Sequence, residues 1–124
     1  MAARRPAVRA PKRGDIYITR FDPTEGREIS KSRPAVIIQN DVGNRFSDVT
    51  IVAPITSKYD AELYPTEVLI IAPEGGLKTD GVALLNQIRA IDKRRLGRRL
   101  GKLHSSTVTL LDEALAISVG LADV

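Results

Sequence analysis

Residues 33–57 read RPAVIIQNDVGNRFSDVTIVAPITS. Two short apolar runs separated by turn residues decide the fold class. Pro34 to Gln39 is apolar almost throughout, which predicts a strand covered on both faces. Asn40-Asp41-Val42-Gly43-Asn44 predicts a turn. Asp48 to Ile55 predicts the next strand. Pro54 marks an edge or a bulge near its end, because proline brings no N–H to a ladder.

Working outward, Ile16 to Phe21 predicts an earlier strand from its β-branched and aromatic residues, stopped by Asp22-Pro23. A polar loop follows from Thr24 to Ser32. Downstream, a second polar loop runs from Ser57 to Pro65, Glu67 to Ala72 predicts a strand, and PEGG at 73–76 a turn. Gly81 to Leu85 predicts another strand. Gln87 to Ile91 is either a sixth or the fifth continuing past a bend. One helix follows, capped by Ser105 or Ser106, whose hydroxyls can accept from first-turn N–H groups. Val108, Leu111 and Leu115 recur at helical spacing, Leu110, Ala114 and Ile117 widen the stripe, and Gly120 ends it. Five or six strands and one amphipathic helix predict a mainly β fold with a C-terminal helix, a small curved barrel or sandwich.

The chain of 124 residues allows one domain, predicted at 13–124, and its 43% apolar content is enough for a core. Residues 1–12, with two prolines and four alanines among basic residues, predict an unstructured tail. There is no cysteine and one histidine, His104. That excludes a disulfide framework, a thiolate zinc site, a cysteine nucleophile and any mechanism needing two imidazoles from one subunit. His104, in a basic stretch before the helix, reads as a surface or capping imidazole. No apolar run is long enough to span a membrane and the N-terminus has no apolar signal region, so a soluble, cytoplasmic protein is expected. GxGxxG, P-loop and GxSxG patterns are absent, and the acids are scattered over turns and loops, so no metal and no cofactor are expected.

The net charge of +4 is unevenly placed. Residues 1–13 and 92–102 each carry +5, leaving −6 for the rest. Two basic patches on an acidic body suggest a polyanionic partner. A floppy tail plus a solvated basic turn explains the charge equally well.

The local signal is at Arg33. Pro34 biases it towards an extended backbone and holds its side chain at the rim of a strand. Thr56 and Ser57 sit at the matching edge of the third strand. If the two strands are neighbours, Arg33 and Thr56 face one another across a groove. A fixed guanidinium beside a hydroxyl suits a phosphodiester, because the planar fork binds phosphate oxygens bidentately. An Arg–carboxylate clamp with a threonine in a turn is the other arrangement these residues allow.

The chain from Arg13 to Leu121 resembles the MazF/PemK toxins, the endoribonuclease components of bacterial toxin–antitoxin pairs. The matching segments are RGDIY at 13–17, DPTEGRE at 22–28, RPAVIIQND at 33–41, NRF at 44–46, IVAPITS at 51–57, LLNQIRAIDKRRL at 84–96 and DEALAISVGL at 112–121. The resemblance implies an SH3-like barrel, a homodimer, and metal-independent, sequence-specific cleavage of single-stranded RNA (mRNA). In that family the RNA's 2′-hydroxyl attacks the adjacent phosphorus, leaving 2′,3′-cyclic phosphate and 5′-hydroxyl ends. It also implies a MazE-like antitoxin whose acidic, apolar C-terminal segment occupies the RNA groove. Carried over by position, Arg33 and Thr56 are the catalytic pair, and Arg27, Glu28, Lys31, Asn40, Asn44, Ser57, Asn86 and Gln87 contact RNA. Two departures stand out. The plasmid-borne branch has an Arg and an Asp where this chain has Leu84 and Asn86, and the family's frequent Glu-Gln in the first loop is Glu28-Ile29 here.

Within that scheme Arg33 stabilises the phosphorane and can protonate the leaving oxygen, since a guanidinium stays charged. Thr56 holds a phosphate oxygen or orients the nucleophile. With 4% aromatics, base recognition is expected from hydrogen bonds, with Phe46 as a local stacking platform and the 92–102 block attracting the RNA backbone. Two further readings are a same-fold toxin that poisons DNA gyrase without cutting RNA, and a non-catalytic RNA-binding barrel.

Overall fold

The structure, a computed structural model, describes residues 10–124. The predicted N-terminal tail lies outside the described residues as far as residue 9. The strands are β1 (Asp15–Arg20), β2 (Ser32–Ile37), β3 (Val49–Thr56), β4 (Glu67–Ile70), β5 (Gly81–Leu84), β6 (Arg89–Asp92) and β7 (Leu96–Lys102). The helices are α1 (Asp41–Phe46) and α2 (Ser105–Ser118), and three single 3-10 turns punctuate the chain. All pairings are antiparallel, in the order β4-β5-β3-β2-β1-β7. The result is a mainly β, barrel-like fold with a C-terminal helix, its sheet open between β4 and β7.

The third strand is forked. Its Val49–Val52 half pairs with β6 and its Ile55–Thr56 end pairs with β5. Between them lies the buried Pro54, with no N–H to continue a ladder. The fork turns the sheet through a corner, so the sixth apolar run, expected at Gln87–Ile91, is a separate strand, β6 (Arg89–Asp92), joined to β3, not β5 prolonged.

Alternation along β2 and β3 splits the core in two. Val36, Ala53 and Ile55 join Ile16, Ile70, Leu85, Leu111 and Ala114 in the larger cluster beneath α2. Ala35, Ile37 and Val52 join Phe21 and Ile91 on the opposite face, against Tyr17, Ile29 and Leu96. Both faces of β2 are covered, as its unbroken apolar run predicts. Among the described residues no helix is long and apolar enough to cross a membrane.

Four local expectations are corrected. The predicted turn at 40–44 is the start of α1: Asn40 caps it by accepting from the Gly43 N–H (2.8 Å), and turn residues serve equally as helix starts. His104, not Ser105 or Ser106, is the cap position of α2, and its backbone N–H donates to Glu74 (3.0 Å). Leu110 is 51% exposed; Thr107, Leu111 and Ala114 form the buried stripe. Finally, the basic stretch 96–102 is a strand, β7, laid along β1. It has no apolar alternation because backbone proximity holds it. A Cβ on Gly101 would lie 2.8 Å from the Gly75 carbonyl carbon, and one on Gly76 (φ +78°) only 2.1 Å from the Leu100 oxygen. Only glycines allow the 74–76 turn to press onto this strand.

The start of the domain is tied to α1 through Asp41. Its carboxylate accepts from the Arg13 backbone N–H (2.7 Å), which holds its pKa below the usual 3.8, helped by Asn44 and the charges of Lys12 and Arg13. A lowered folded-state pKa favours folding above the unfolded value. The contribution is therefore complete above pH 3.8 and lost as pH falls below it through the folded pKa. Acid titrations should show Asp41→Asn with a shallower loss of stability than wild type below that pH. Identical slopes would mean that the Arg13 contact does not distinguish folded from unfolded chain.

Candidate active site

The strands that carry Arg33 and Thr56 are neighbours. Ala35 pairs with Pro54, Val36 with Ala53 and Ile37 with Val52. The first of these pairs, Ala35–Pro54, lies two residues from Arg33 and from Thr56, and the same register continued to the rim would set those two across from one another. Alternation assigns both to the face of Ala35 and Pro54. Directly opposed residues have Cβ atoms about 5 Å apart, within reach of one phosphate. On its other side Arg33 pairs with Thr19, a small, fully buried residue.

Arg33 is half-buried, and its Nε donates to the Ser30 carbonyl (2.9 Å). No carboxylate lies within ion-pair range of it among the described residues, so the Arg–carboxylate clamp is not formed. Its two terminal nitrogens meet no protein acceptor among those residues, and the fork is open to a ligand. The Thr56 hydroxyl accepts from the Lys58 N–H (3.1 Å) and donates to the Lys58 carbonyl (3.2 Å). That local turn fixes the hydroxyl and leaves a lone pair for a further donor.

The loop 21–31 bends over the same end of the sheet and is fastened at several points. The Phe21 N–H donates to the Lys31 carbonyl (2.9 Å) and the Lys31 N–H to Asp22 (3.0 Å). The Ile29 N–H donates to Oε1 of Gln87, 58 residues away (2.9 Å). Arg89 lies over the Phe21 ring, 5.9 Å from its centroid, and donates to the Phe21 carbonyl (3.2 Å). Arg95 donates to the carbonyls of Arg20 (3.1 Å) and Asp22. Between loop and sheet is a cleft of about 420 Å³ lined by Arg27, Glu28, Ile29, Asn86, Gln87, Ile88 and Arg89.

The structure thus brings together Arg27, Glu28, Asn86 and Gln87 in one cleft, while Lys31 and Ser57 are exposed near Arg33 and Thr56 along the chain. Arg89 was missed by sequence reasoning: a single arginine in a short strand gives no spacing signal. Asn40, Asn44 and Phe46 belong elsewhere within one chain, beyond the Val49 end of β3, roughly 20 Å of strand from Thr56. Asn40 is the α1 cap. The base-reading role expected of Asn44 is corrected. It is 1% exposed, and its amide donates to the Gln39 carbonyl (2.9 Å) and Asp41 (3.2 Å) while accepting from Gln39 (3.1 Å) and Thr50 (2.7 Å). Every hydrogen-bonding position of the side chain is occupied from inside.

The basic block is partly occupied too. Arg94 pairs with Asp92 (3.0 Å), and Arg99 with the buried Asp15 (3.1 Å), contacts that raise both guanidinium pKa values. Lys93 donates to the Asn44 carbonyl and Arg95 to the loop. Arg98 and Lys102 are exposed and make no such contact among the described residues.

Residues 12–119 match the profile of the PemK-like, MazF-like toxins of type II toxin–antitoxin systems. The chain is 46% identical over 112 residues to the endoribonuclease EndoA of Bacillus subtilis (strain 168), covering 90% of this chain and 97% of that one. Its fold is similar to the crystal structure of MazF from Deinococcus radiodurans, with a TM-score of 0.79 at 26% identity over 91% of this chain and 99% of that one. It is also similar to an endoribonuclease from Mycobacterial species in complex with its cognate antitoxin, with a TM-score of 0.76 at 25% identity over 91% and 98% of the two chains.

Proposed function

Because this chain belongs to the PemK-like, MazF-like toxin family of type II toxin–antitoxin systems, we propose that it is a sequence-specific endoribonuclease cutting single-stranded RNA without a metal. The observation that carries the proposal is the β2–β3 pairing of Ala35 with Pro54, two residues from Arg33 and from Thr56, together with a half-buried Arg33 whose fork meets no protein acceptor among the described residues.

In this reaction the 2′-oxygen bonds to the adjacent phosphorus as its proton passes to solvent water, which in turn restores the proton that Arg33 gives to the leaving oxygen. The P–O5′ bond breaks and the 5′-oxygen takes a proton. A 2′,3′-cyclic phosphate and a 5′-hydroxyl result. Arg33 holds two non-bridging oxygens of the doubly charged phosphorane in its fork and supplies the proton to the 5′-oxygen. Thr56 donates to a phosphate oxygen, exchanging its contact with the Lys58 carbonyl for the ligand. The cleft under loop 21–31 holds a neighbouring nucleotide. Residues 13–124 act as one toxin domain, in the cytoplasm, as a homodimer. A cognate antitoxin lays an acidic, apolar segment in the groove, where Arg27, Arg33 and Arg89 give it counter-charge.

The test is incubation of the purified protein with a long single-stranded RNA in EDTA, followed by mapping of the ends. Discrete sites with 5′-hydroxyl ends are expected. Binding without cleavage would leave an RNA-binding barrel, and topoisomerase inhibition without cleavage a gyrase poison.

The occupied cations also limit how RNA is attracted. Each lysine or arginine that meets a phosphate of a single strand adds about 0.7 to the slope of log affinity against log salt. Arg98→Ala and Lys102→Ala are each expected to flatten the slope by about that much. Unchanged slopes in both variants would remove the block from the RNA path.

A further inference from the structure

The open polar atoms of the cleft are mostly donors. Gln87 uses Oε1 on the Ile29 N–H, which fixes the amide and leaves only its NH2 group for a ligand. Arg89 uses one terminal nitrogen on Phe21, and its remaining N–H groups are open, as is the Arg27 fork. Two acceptors stand among them: Glu28 uses Oε1 on the Glu25 N–H (2.7 Å), leaving a charged Oε2, and Asn86 brings a neutral amide that can donate or accept. Ile29 and Ile88 add apolar surface, which a planar ring can use and a phosphate cannot. The volume, about 420 Å³, suits a small ligand.

We propose that this cleft selects a keto nucleobase of the RNA, uracil or guanine, through Gln87 acting as an obligate donor with Glu28 as the matching acceptor. The proposal rests on the ribonuclease reading for its ligand class and goes beyond it by naming the base. Uracil and guanine each carry a carbonyl oxygen beside an imino N–H. The oxygen accepts from the Gln87 amide or an arginine, and the N–H meets the Glu28 carboxylate. Cytosine and adenine reverse the pattern. Their amino groups would face the Gln87 NH2, and their ring-nitrogen acceptors would face the carboxylate. Mismatching donors with donors in a partly enclosed site leaves polar groups unpaired and costs about a factor of ten or more in affinity.

The experiment titrates isotope-labelled full-length protein with the 5′-monophosphates of uridine, guanosine, cytidine and adenosine, following the Gln87 side-chain NH2 and the Ile29 amide by NMR. Uridine and guanosine monophosphates are expected to shift both signals with at least tenfold higher affinity than the other two. In Gln87→Glu the carboxylate still accepts from Ile29, but an acceptor replaces the donor, so the preference should fall to within about twofold. Equal affinities in wild type, a preference for cytidine or adenosine, no shift with any nucleotide, or an unchanged preference in Gln87→Glu would each overturn the proposal. If Gln87→Glu fails to fold, the wild-type order alone decides. Cleavage mapping separates this result from the parent reading. A protein that cuts RNA without a keto preference overturns only the base assignment. One that keeps the preference and cuts nothing overturns only the ribonuclease.

Discussion

Arg33→Ala is expected to slow RNA cleavage by about a thousandfold or more while the protein stays folded. Removing a single preorganised donor to a developing oxyanion costs about 10²–10³ in rate, and a transition-state arginine in phosphoryl transfer about 10³–10⁵. Arg33 combines both descriptions. It is half-buried, it makes one hydrogen bond, to the Ser30 carbonyl (2.9 Å), and its fork is free of protein acceptors among the described residues. The structural loss is one hydrogen bond, about 1 kcal/mol, so the melting midpoint should fall by only about 3–5 °C. Arg33→Lys sharpens the test, because it keeps the charge and loses the two parallel donors. A fall of about a hundredfold is expected. Single-turnover cleavage of an end-labelled oligonucleotide measures both variants, and near-wild-type rates for Arg33→Lys would refute the bidentate account. Thr56→Ser should retain most activity and Thr56→Ala should not, since the hydroxyl is the working group.

The second large effect is on stability. Asn44→Ala is expected to cost about 2–4 kcal/mol, because it removes a buried hub and strands its partners. The Thr50 hydroxyl is fully buried and donates to Asn44 (2.7 Å), and the Gln39 amide donates to it at 3.1 Å. Thr50 loses its acceptor, which water cannot replace without entering the core, and Gln39 keeps only the Val49 carbonyl (2.9 Å). Chemical denaturation measures the loss. At temperatures well below the melting midpoint the cleavage sites in a long RNA should match those of wild type. A variant of normal stability that cuts at different sites would restore Asn44 as a reader of bases.

Asn44 also shows where sequence reading stops. An asparagine in a run of Asn, Asp and Gly is chemically a turn residue, and nothing local distinguishes a solvated amide from one whose four partners come from Gln39, Asp41 and Thr50. The strands β1 to β5 were legible because their apolar runs are bounded by proline, glycine and polar turns. The stretch 96–102 was not, because its cohesion comes from backbone contact with β1 and the glycine-lined 74–76 turn. The position of Arg33 could be argued from Pro34, but its opposition to Thr56 depended on a strand pairing that the sequence leaves open. The cleft was less legible still. It joins residues 27–29 to 86–89, and the hydrogen bond that closes it spans 58 positions. Only the resemblance to a family put those segments together.

The division of labour among the basic residues 93–102 bears on how such a chain can drift through generations. Arg98 and Lys102 can be exchanged, shifted or lost with consequences confined to long-range attraction. Arg95 and Arg99 have no such latitude. Without Arg95 the carbonyls of Arg20 and Asp22 lose their shared donor, and without Arg99 the buried Asp15 loses its counter-charge. Two neighbouring arginines of identical chemistry, Arg98 and Arg99, therefore differ in what their loss removes: the first takes away only reach towards a distant charge, the second a part of the frame.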